Sequence, residues 1–320
     1  MATALSFLLV NIQGLFSSGG ADKITFLSDQ ASLKNSPLIA ITESWLSPDI
    51  LDAEVERQIP GFRIIRADRI DRICGGVAAY LRNDIPGDTV DSFDNGICEV
   101  LLLKLHIQNH YVAIFYRPPG TTKFNQFKEA LDWLDSKLTS LANPTPTISV
   151  CGDFNFNKSI VTWSFDEDGD LYPSVANHRQ GMGDDGIMNA KQAQYLFDFA
   201  NKHYLVQYID KETRSVNNET IDLFFTNNHN LVTNVDSENH ACYSDHNLLS
   251  IGVNCVLEKV SVPNTNQLDP QSMTQSQRYH RLNFFKAPWP AINLSLSEID
   301  WSLCPRWSQR IASFGCITKF

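Results

Sequence analysis

The sequence predicts an α/β layered fold, and three observations carry that prediction. Short apolar runs of strand length recur through the first 255 residues. Amphipathic stretches of helical period lie between them. A chain of 320 residues with 43% hydrophobic composition has ample apolar material for a core under those elements.

Taken in order, the runs Phe7–Asn11, Leu38–Glu43, Gly76–Leu81, Cys98–Leu105, Tyr111–Tyr116 and Thr147–Gly152 read as strands, followed by Asp222–Thr226 and Asn247–Val253. All are rich in Val, Ile, Leu and Phe, as buried strands are. Three helices are expected. Asp22–Leu33 is the first. Phe124–Leu141 places Phe127, Leu131, Leu134 and Leu138 on one stripe, and Asn189–Asn201 does the same with Ala193, Leu196, Phe197 and Ala200. Asn143-Pro144-Thr145-Pro146 breaks the chain before the next strand. Strands interleaved with a few helices suggest layers.

Composition changes after Val256. Residues 261–277 are rich in Ser, Thr, Asn, Gln and Pro, which reads as a linker. Residues 282–299 regain apolar side chains at Phe284, Phe285, Trp289, Ile292, Leu296 and Ile299, but Pro288 and Pro290 interrupt any single helix. The expected organisation is a domain over 1–257, a polar linker over 258–281, and a partly helical or disordered tail over 282–320.

The net charge of -10 excludes a generally basic nucleic-acid binder, although a local basic groove or a cation can still meet phosphates. Seven cysteines, an odd number without any CxxC pair, argue for reduced thiols in a nuclear or cytoplasmic protein. Met1–Val10 lacks a basic leader and reads as a first strand rather than a signal peptide. No apolar run of about 18 residues suggests a membrane helix.

The chemistry gathers at strand ends. Cys151-Gly152-Asp153-Phe154-Asn155 follows an apolar strand and sets an acid and an amide two residues apart, on one side of an extended chain. Taken singly it reads equally as a turn. Tyr243-Ser244-Asp245-His246-Asn247 pairs an acid with an imidazole just before a strand, and singly reads equally as a polar cap. Asp222 lies inside an apolar strand, where a charge requires a partner, and an imidazole would serve. Asn11 and Glu43 end two further strands and supply oxygen ligands suited to a hard cation such as Mg²⁺. The order of these groups is the signal, since five apolar strands each present a polar group at the same kind of position.

That order resembles the endonuclease/exonuclease/phosphatase superfamily: Asn11, Thr42-Glu43, Tyr116-Arg117-Pro118-Pro119, Gly152-Asp153-Phe154-Asn155, Ile221-Asp222 and Ser244-Asp245-His246. Within it, Val10-Asn11-Ile12-Gln13-Gly14-Leu15, Thr42-Glu43-Ser44-Trp45-Leu46 and Asp71-Arg72 followed by Gly75-Gly76-Val77-Ala78-Ala79-Tyr80 are similar to the apurinic/apyrimidinic-type endonuclease domain of non-LTR (LINE-type) retrotransposons. The likeness covers roughly residues 5–255, and 282–301 resembles the connector to a reverse transcriptase, with no such domain following in this sequence.

The resemblance implies a four-layered α/β sandwich, two packed β-sheets flanked by helices, with the site in a cleft at one end. It implies Mg²⁺, or Mn²⁺, held by Glu43 and Asn11 with Asp245 near the metal or leaving group. Asp153 would orient or deprotonate the attacking water, and Asn155 would meet the scissile phosphate. His246, oriented by Asp222, would contact the phosphate or transfer a proton, and Tyr116 would stabilise charge. Arg117, Arg72 and Thr213 are further candidates for substrate contact, although Glu212 stands where that group's pattern has proline, which weakens the Thr213 assignment. The implied activity is metal-dependent nicking of DNA, leaving a 5′ phosphate and a 3′ hydroxyl, by a monomer that a reverse transcriptase region would accompany in a full-length element. A phosphatase on inositol or lipid phosphates, and a non-catalytic retroelement remnant, are the competing readings.

Three further features read as structural. Asp166-Glu167-Asp168-Gly169-Asp170 lacks the rest of a calcium loop and is a surface loop. Trp163 is a packing residue before it is a base-stacking one. The remaining histidines, His110 among them, show no metal-ligand spacing and read as surface or loop residues.

Overall fold

Alternation along the strands decides the architecture. The computed structural model describes residues 5–254 apart from 18–19, 70–73, 121–122, 142–145, 168, 177–182 and 240–243. In chain order the elements are β1 (Leu5–Asn11), α1 (Gly20–Leu33), β2 (Leu38–Thr42), α2 (Asp52–Glu56), β3 (Phe62–Ala67), β4 (Val77–Arg82), β5 (Gly87–Asp94), β6 (Glu99–Leu105) and β7 (His110–Tyr116). There follow α3 (Phe124–Thr139), β8 (Thr147–Asp153), β9 (Val161–Phe165), β10 (Leu171–Val175), α4 (Asp184–Lys202), β11 (Val206–Gln207), β12 (Asp222–Thr226), β13 (Val232–Glu238) and β14 (Leu248–Val253).

The strands form a six-stranded sheet, ordered β13-β14-β1-β2-β4-β3, and an eight-stranded sheet, ordered β5-β6-β7-β8-β12-β11-β10-β9. Pairings are antiparallel except β1 with β2 and β7 with β8. In β1, Leu5, Phe7 and Leu9 enter the core between the sheets, while Leu8 and Val10 face the other way with α1 residues Ile24 and Leu27. In β7 and β8, Val112, Ile114 and Cys151 face the same inter-sheet core, and Phe115 and Val150 pack under α3 and α4. Three apolar layers therefore hold four layers of secondary structure, the sandwich that the sequence resemblance implied.

All eight expected strands and all three expected helices are present, with ends shifted by a few residues. α4 begins at Asp184 rather than Asn189; Asp184 and Asp185 occupy its first turn, where acids favour the helix dipole, but they precede the apolar stripe that signalled the helix. Seven elements were not expected: α2, β3, β5, β9, β10, β11 and β13. Four of these, β3, β13, β5 and β9, are the edges of the two sheets. An edge strand is wetted along one side and carries polar residues, as β5 does with Asp88, Asp91 and Asp94, so it shows no continuous apolar run. His110 is a correction: it is buried, bonded to Ser149 Oγ at 2.8 Å and stacked on Phe7. Trp163 packs edge-on against Phe197 of α4, as a core residue does. No helix among the described residues is long and apolar enough to cross a membrane. The linker and tail expected beyond residue 257 lie outside the described residues.

Candidate functional site

Strand register places four polar residues on a single rung. Glu99 faces Tyr116, Tyr116 faces Asp153, and Asp153 faces Asp222, across β6, β7, β8 and β12. Alternation puts all four on the inter-sheet side, one step past the apolar residues Leu101, Ile114, Cys151 and Phe224 of the same strands. The core between the sheets thus ends in a polar rung.

The six-stranded sheet supplies the facing wall. Asn11 ends β1 opposite Thr42, and Glu43 comes immediately after β2. Asn11 Nδ2 donates to Glu43 Oε1 at 2.9 Å and to Asp153 Oδ2 at 2.9 Å, tying one sheet to the other. Tyr116 OH donates to the same Glu43 Oε1 at 3.0 Å, and Trp45 Nε1 donates to Oε2 at 3.2 Å. Glu43 sits at φ 52°, a left-handed conformation that costs a side-chain-bearing residue about 1 kcal/mol. Its carbonyl accepts from Gly14 N at 2.8 Å, and Ser44 N donates to Gly76 O at 3.0 Å, which holds the turn that aims the carboxylate inward.

The third wall is the loop before β14. Ser244 Oγ donates to Asn11 O at 2.7 Å and accepts from His246 N at 3.2 Å, fixing the loop to the end of β1. His246 Nδ1 meets Asp222 Oδ2 at 2.8 Å. Its Nε2 lies 3.8 Å from Asp153 Oδ2 and 3.9 Å from Asp245 Oδ1, too far for a bond to either. Asp153, Asp222 and His246 therefore form one buried carboxylate–imidazole cluster. Asp222 Oδ1 is buried without a hydrogen-bond partner.

The charges respond to this crowding. Burial, then the neighbouring Asp222, pushes the Asp153 carboxyl up to about 7, against the pull of His246. Burial alone would lower the His246 imidazole, but Asp222, Asp153 and Asp245 outweigh it and hold its pKa at about 10. Burial, Glu43 and Asp153 keep the Tyr116 phenol protonated, so it serves as a donor. Asp245 is also pulled by burial upward, yet its bond to Arg214 keeps it below the usual carboxylate range.

The structure brings Asn11, Glu43, Tyr116, Asp153, Asn155, Asp222, Asp245 and His246 into one polar cluster. Asn155 Nδ2 donates to Asp153 Oδ2 at 2.8 Å and to Arg117 O at 2.8 Å. Two expected substrate contacts fall elsewhere. Arg117 has no solvent exposure; its guanidinium donates to Gln192 Oε1 at 2.8 Å, Phe154 O at 3.0 Å, Asn155 O at 3.1 Å and Asn189 Oδ1, and lies over the Phe156 ring. It braces the 153–155 loop from behind. Thr213 is equally buried, and its Oγ1 accepts from Ile221 N and Asp222 N, both at 3.0 Å, so it anchors the start of β12. Arg72 lies outside the described residues.

Sequence reasoning assigned no such role to the groups that hold these side chains. Gln13 Nε2 donates to Asp245 Oδ1 at 2.6 Å, and Arg214 Nε donates to Asp245 Oδ2 at 2.7 Å. Buried Arg69 pairs with Glu99, whose Oε2 accepts from Gly76 N at 2.6 Å. Buried Lys23 donates to the carbonyls of Ile12, Gln13 and Gly14, closing the loop after Asn11. The Gly-rich stretch around Gly76 was the available signal for Glu99; nothing in the sequence marked Lys23.

Comparison with known proteins agrees with this fold. Residues 110–250 match the family described as Endonuclease-reverse transcriptase. No curated protein matches the chain. The chain is similar to the endonuclease domain of TRAS1, a telomere-specific non-LTR retrotransposon, at 11% identity and a TM-score of 0.52, over 78% of this chain and 98% of that one. It is similar to the 3′ phosphatase NExo from Neisseria bound to a product DNA hairpin, at 11% identity and a TM-score of 0.54, over 78% and 99%. An AP endonuclease from Archaeoglobus fulgidus aligns at 14% identity and a TM-score of 0.50, over 78% and 99%. At these identities the likeness is one of fold.

Proposed function

We propose that this chain, a member of the endonuclease/exonuclease/phosphatase superfamily, is a divalent-metal-dependent phosphodiester hydrolase that nicks DNA. The observation that carries the proposal is the link Glu43–Asn11–Asp153–Asp222–His246 across the site, an oxygen-rich wall facing a carboxylate–imidazole wall.

Each group has a task suited to its state. Asp153, with its pKa near 7, can accept a proton from water at neutral pH. Asn155, bonded to it, orients that carboxylate and faces the scissile phosphate. His246 is protonated, and its Nε2–H has no bonded acceptor among the described residues, so it can donate to a phosphate oxygen as charge develops. Asp222 fixes the orientation of the ring and keeps it charged. Tyr116 holds Glu43 through its hydroxyl.

The Glu43 carboxylate is a hard oxygen donor, and Asp222 Oδ1 is a buried carboxylate oxygen without a partner; the Asn11 amide turns its nitrogen to Glu43 and its oxygen to Gln13 N, 3.2 Å away, so it would ligate a cation through Oδ1 once turned. Glu43 and Asn11 are the residues proposed to hold Mg²⁺ or Mn²⁺. When bound, the ion supplies positive charge to the substrate phosphate without proton transfer. Asp245, engaged by Gln13 and Arg214, serves at the edge of the site.

DNA as the substrate, a 3′ hydroxyl product, a monomeric state and association with a reverse transcriptase region belong to this proposal. So do a domain ending near residue 257, a linker over 258–281 and a connector-like tail over 282–320. They rest on the motif order, the matched family and the shared fold.

The test is conversion of supercoiled plasmid to open circles in Mg²⁺, beside Asp153→Ala and His246→Ala. Metal-dependent nicking by the parent and its loss in both variants supports the proposal. No nicking, or equal nicking by the variants, overturns it. Phosphate released from inositol phosphates without nicking would assign the same site to a phosphatase.

A further inference from the structure

Arg214 is a cation whose place in the site the chemistry above does not use. Among the cations around the site, Lys23, Arg69 and Arg117 are buried, with donors directed at backbone carbonyls, and His246 is buried against Asp222. The Arg214 side chain is 31% exposed. Two of its nitrogens, Nε at 2.7 Å and Nη2 at 2.5 Å, converge on the single oxygen Asp245 Oδ2. Nη1 has no partner among the described residues.

Its position is set from three sides. The backbone of Arg214 bridges His246, and Arg214 and Glu219 exchange backbone bonds of 3.0 and 3.2 Å to close a tight hairpin. Thr213, one residue before, anchors Asp222. At the base Ser215 Oγ donates to Asn247 Oδ1 at 2.6 Å, and at the tip Lys158 Nζ donates to Asn217 O at 2.9 Å. The guanidinium is thus held on a braced element, one carboxylate away from the imidazole: Asp245 Oδ1 is 3.9 Å from His246 Nε2, and Asp245 Oδ2 carries Arg214.

Arg214 is not the sole partner of Asp245. Its Oδ1 already accepts a 2.6 Å bond from Gln13, and the charged imidazole is adjacent. A planar fork with a free nitrogen, partly open to solvent, is a phosphate-binding group. In a chain of net charge -10, such a group is where a polyanion can dock.

We infer that Arg214 receives the phosphate next to the scissile one, so that the site is built for a strand of consecutive phosphodiesters rather than an isolated phosphate ester. This rests on the reading of the site as a phosphodiester hydrolase. Arg214 acts here as a specificity residue, setting the substrate's length and not the chemistry at phosphorus.

The experiment compares two substrates in Mg²⁺: a fluorescent single-stranded DNA oligonucleotide, and bis(p-nitrophenyl) phosphate, which has no neighbouring phosphate. Arg214→Gln should raise KM for the oligonucleotide about tenfold more than KM for the small diester, and lower the salt slope of oligonucleotide binding by about one. Arg214→Lys, which keeps the charge, should retain that slope. Equal losses on both substrates would mean that Arg214 acts only through Asp245, and an unchanged slope in Arg214→Gln would equally overturn the inference. Should the parent cleave neither substrate, the hydrolase reading fails, yet anisotropy of the oligonucleotide against salt needs no turnover and still decides whether Arg214 meets a phosphate.

Discussion

Asp153 and Asp222 are cross-strand partners, set opposite each other between β8 and β12 and both buried. Like charges directly opposite on a ladder repel. The pair is stable because each acid has its own counterweight: Asn11 and Asn155 donate to Asp153, and His246 takes Asp222. The site is therefore a frustrated place in the fold, and its frustration can be measured.

Asp153→Asn should melt higher than the parent at pH 8 in the presence of EDTA. The folded carboxyl titrates near 7, above its unfolded value, so it favours folding only while protonated, and that stability is lost as pH rises from about 4 to about 7. Removing the charge should recover about 2 kcal/mol at pH 8, or about 4–8 °C in Tm. The difference should vanish toward pH 4. A lower Tm for the variant at pH 8 would contradict the repulsion.

Asp222→Asn should move the alkaline limb of the rate profile. In the parent the imidazolium of His246 persists to about pH 10, chiefly because Asp222 outweighs the effect of burial. With a neutral amide in its place, the charged ring should be lost at lower pH, and kcat at pH 8 should fall about 100-fold or more. The His246 ring resonance, followed by NMR against pH, checks the shift independently of turnover.

Arg117→Gln separates bracing from substrate contact. The arginine is buried over Phe156 and bonded to four oxygens, so its loss should cost about 3 kcal/mol of stability. The salt slope of DNA binding should not change. A reduced slope with unchanged Tm would return Arg117 to the substrate.

Gly152→Ala should fail to fold at 37 °C or lose more than about 3 kcal/mol. Gly152 sits at φ 140°, and a Cβ there would lie 1.8 Å from Phe115 O, inside the β7–β8 ladder. Circular dichroism melts of the purified domain provide the measurement.

Much of this site was legible because strand ends are. Asn11, Tyr116, Asp153 and Asp222 each interrupt an apolar run, and an apolar run that ends in a polar residue fixes both the strand and the side its last residue faces. Arg117 was misread because its burial depends on Gln192 and Asn189, more than 70 positions away on α4. Gln13 and Asp245 are 232 positions apart, and no local pattern announces such a pair. The edge strands escaped notice for a different reason: half-wetted strands have no continuous apolar signature, and their pairing is decided by neighbours already in place.

The site lies on a seam. Asn11, Glu43 and His246 belong to the six-stranded sheet and its loops, while Tyr116, Asp153 and Asp222 belong to the eight-stranded one. The three bonds Asn11–Asp153, Tyr116–Glu43 and His246–Asp222 all cross from one sheet to the other. Any sliding of the sheets would stretch all three together. The apolar side chains between them, such as Leu9, Ile114 and Leu249, thus act as a mechanical gauge: their interlock sets the alignment of the chemical groups at its rim. A methylene lost deep in that interface would reach the phosphate as a change of alignment, with every polar residue intact.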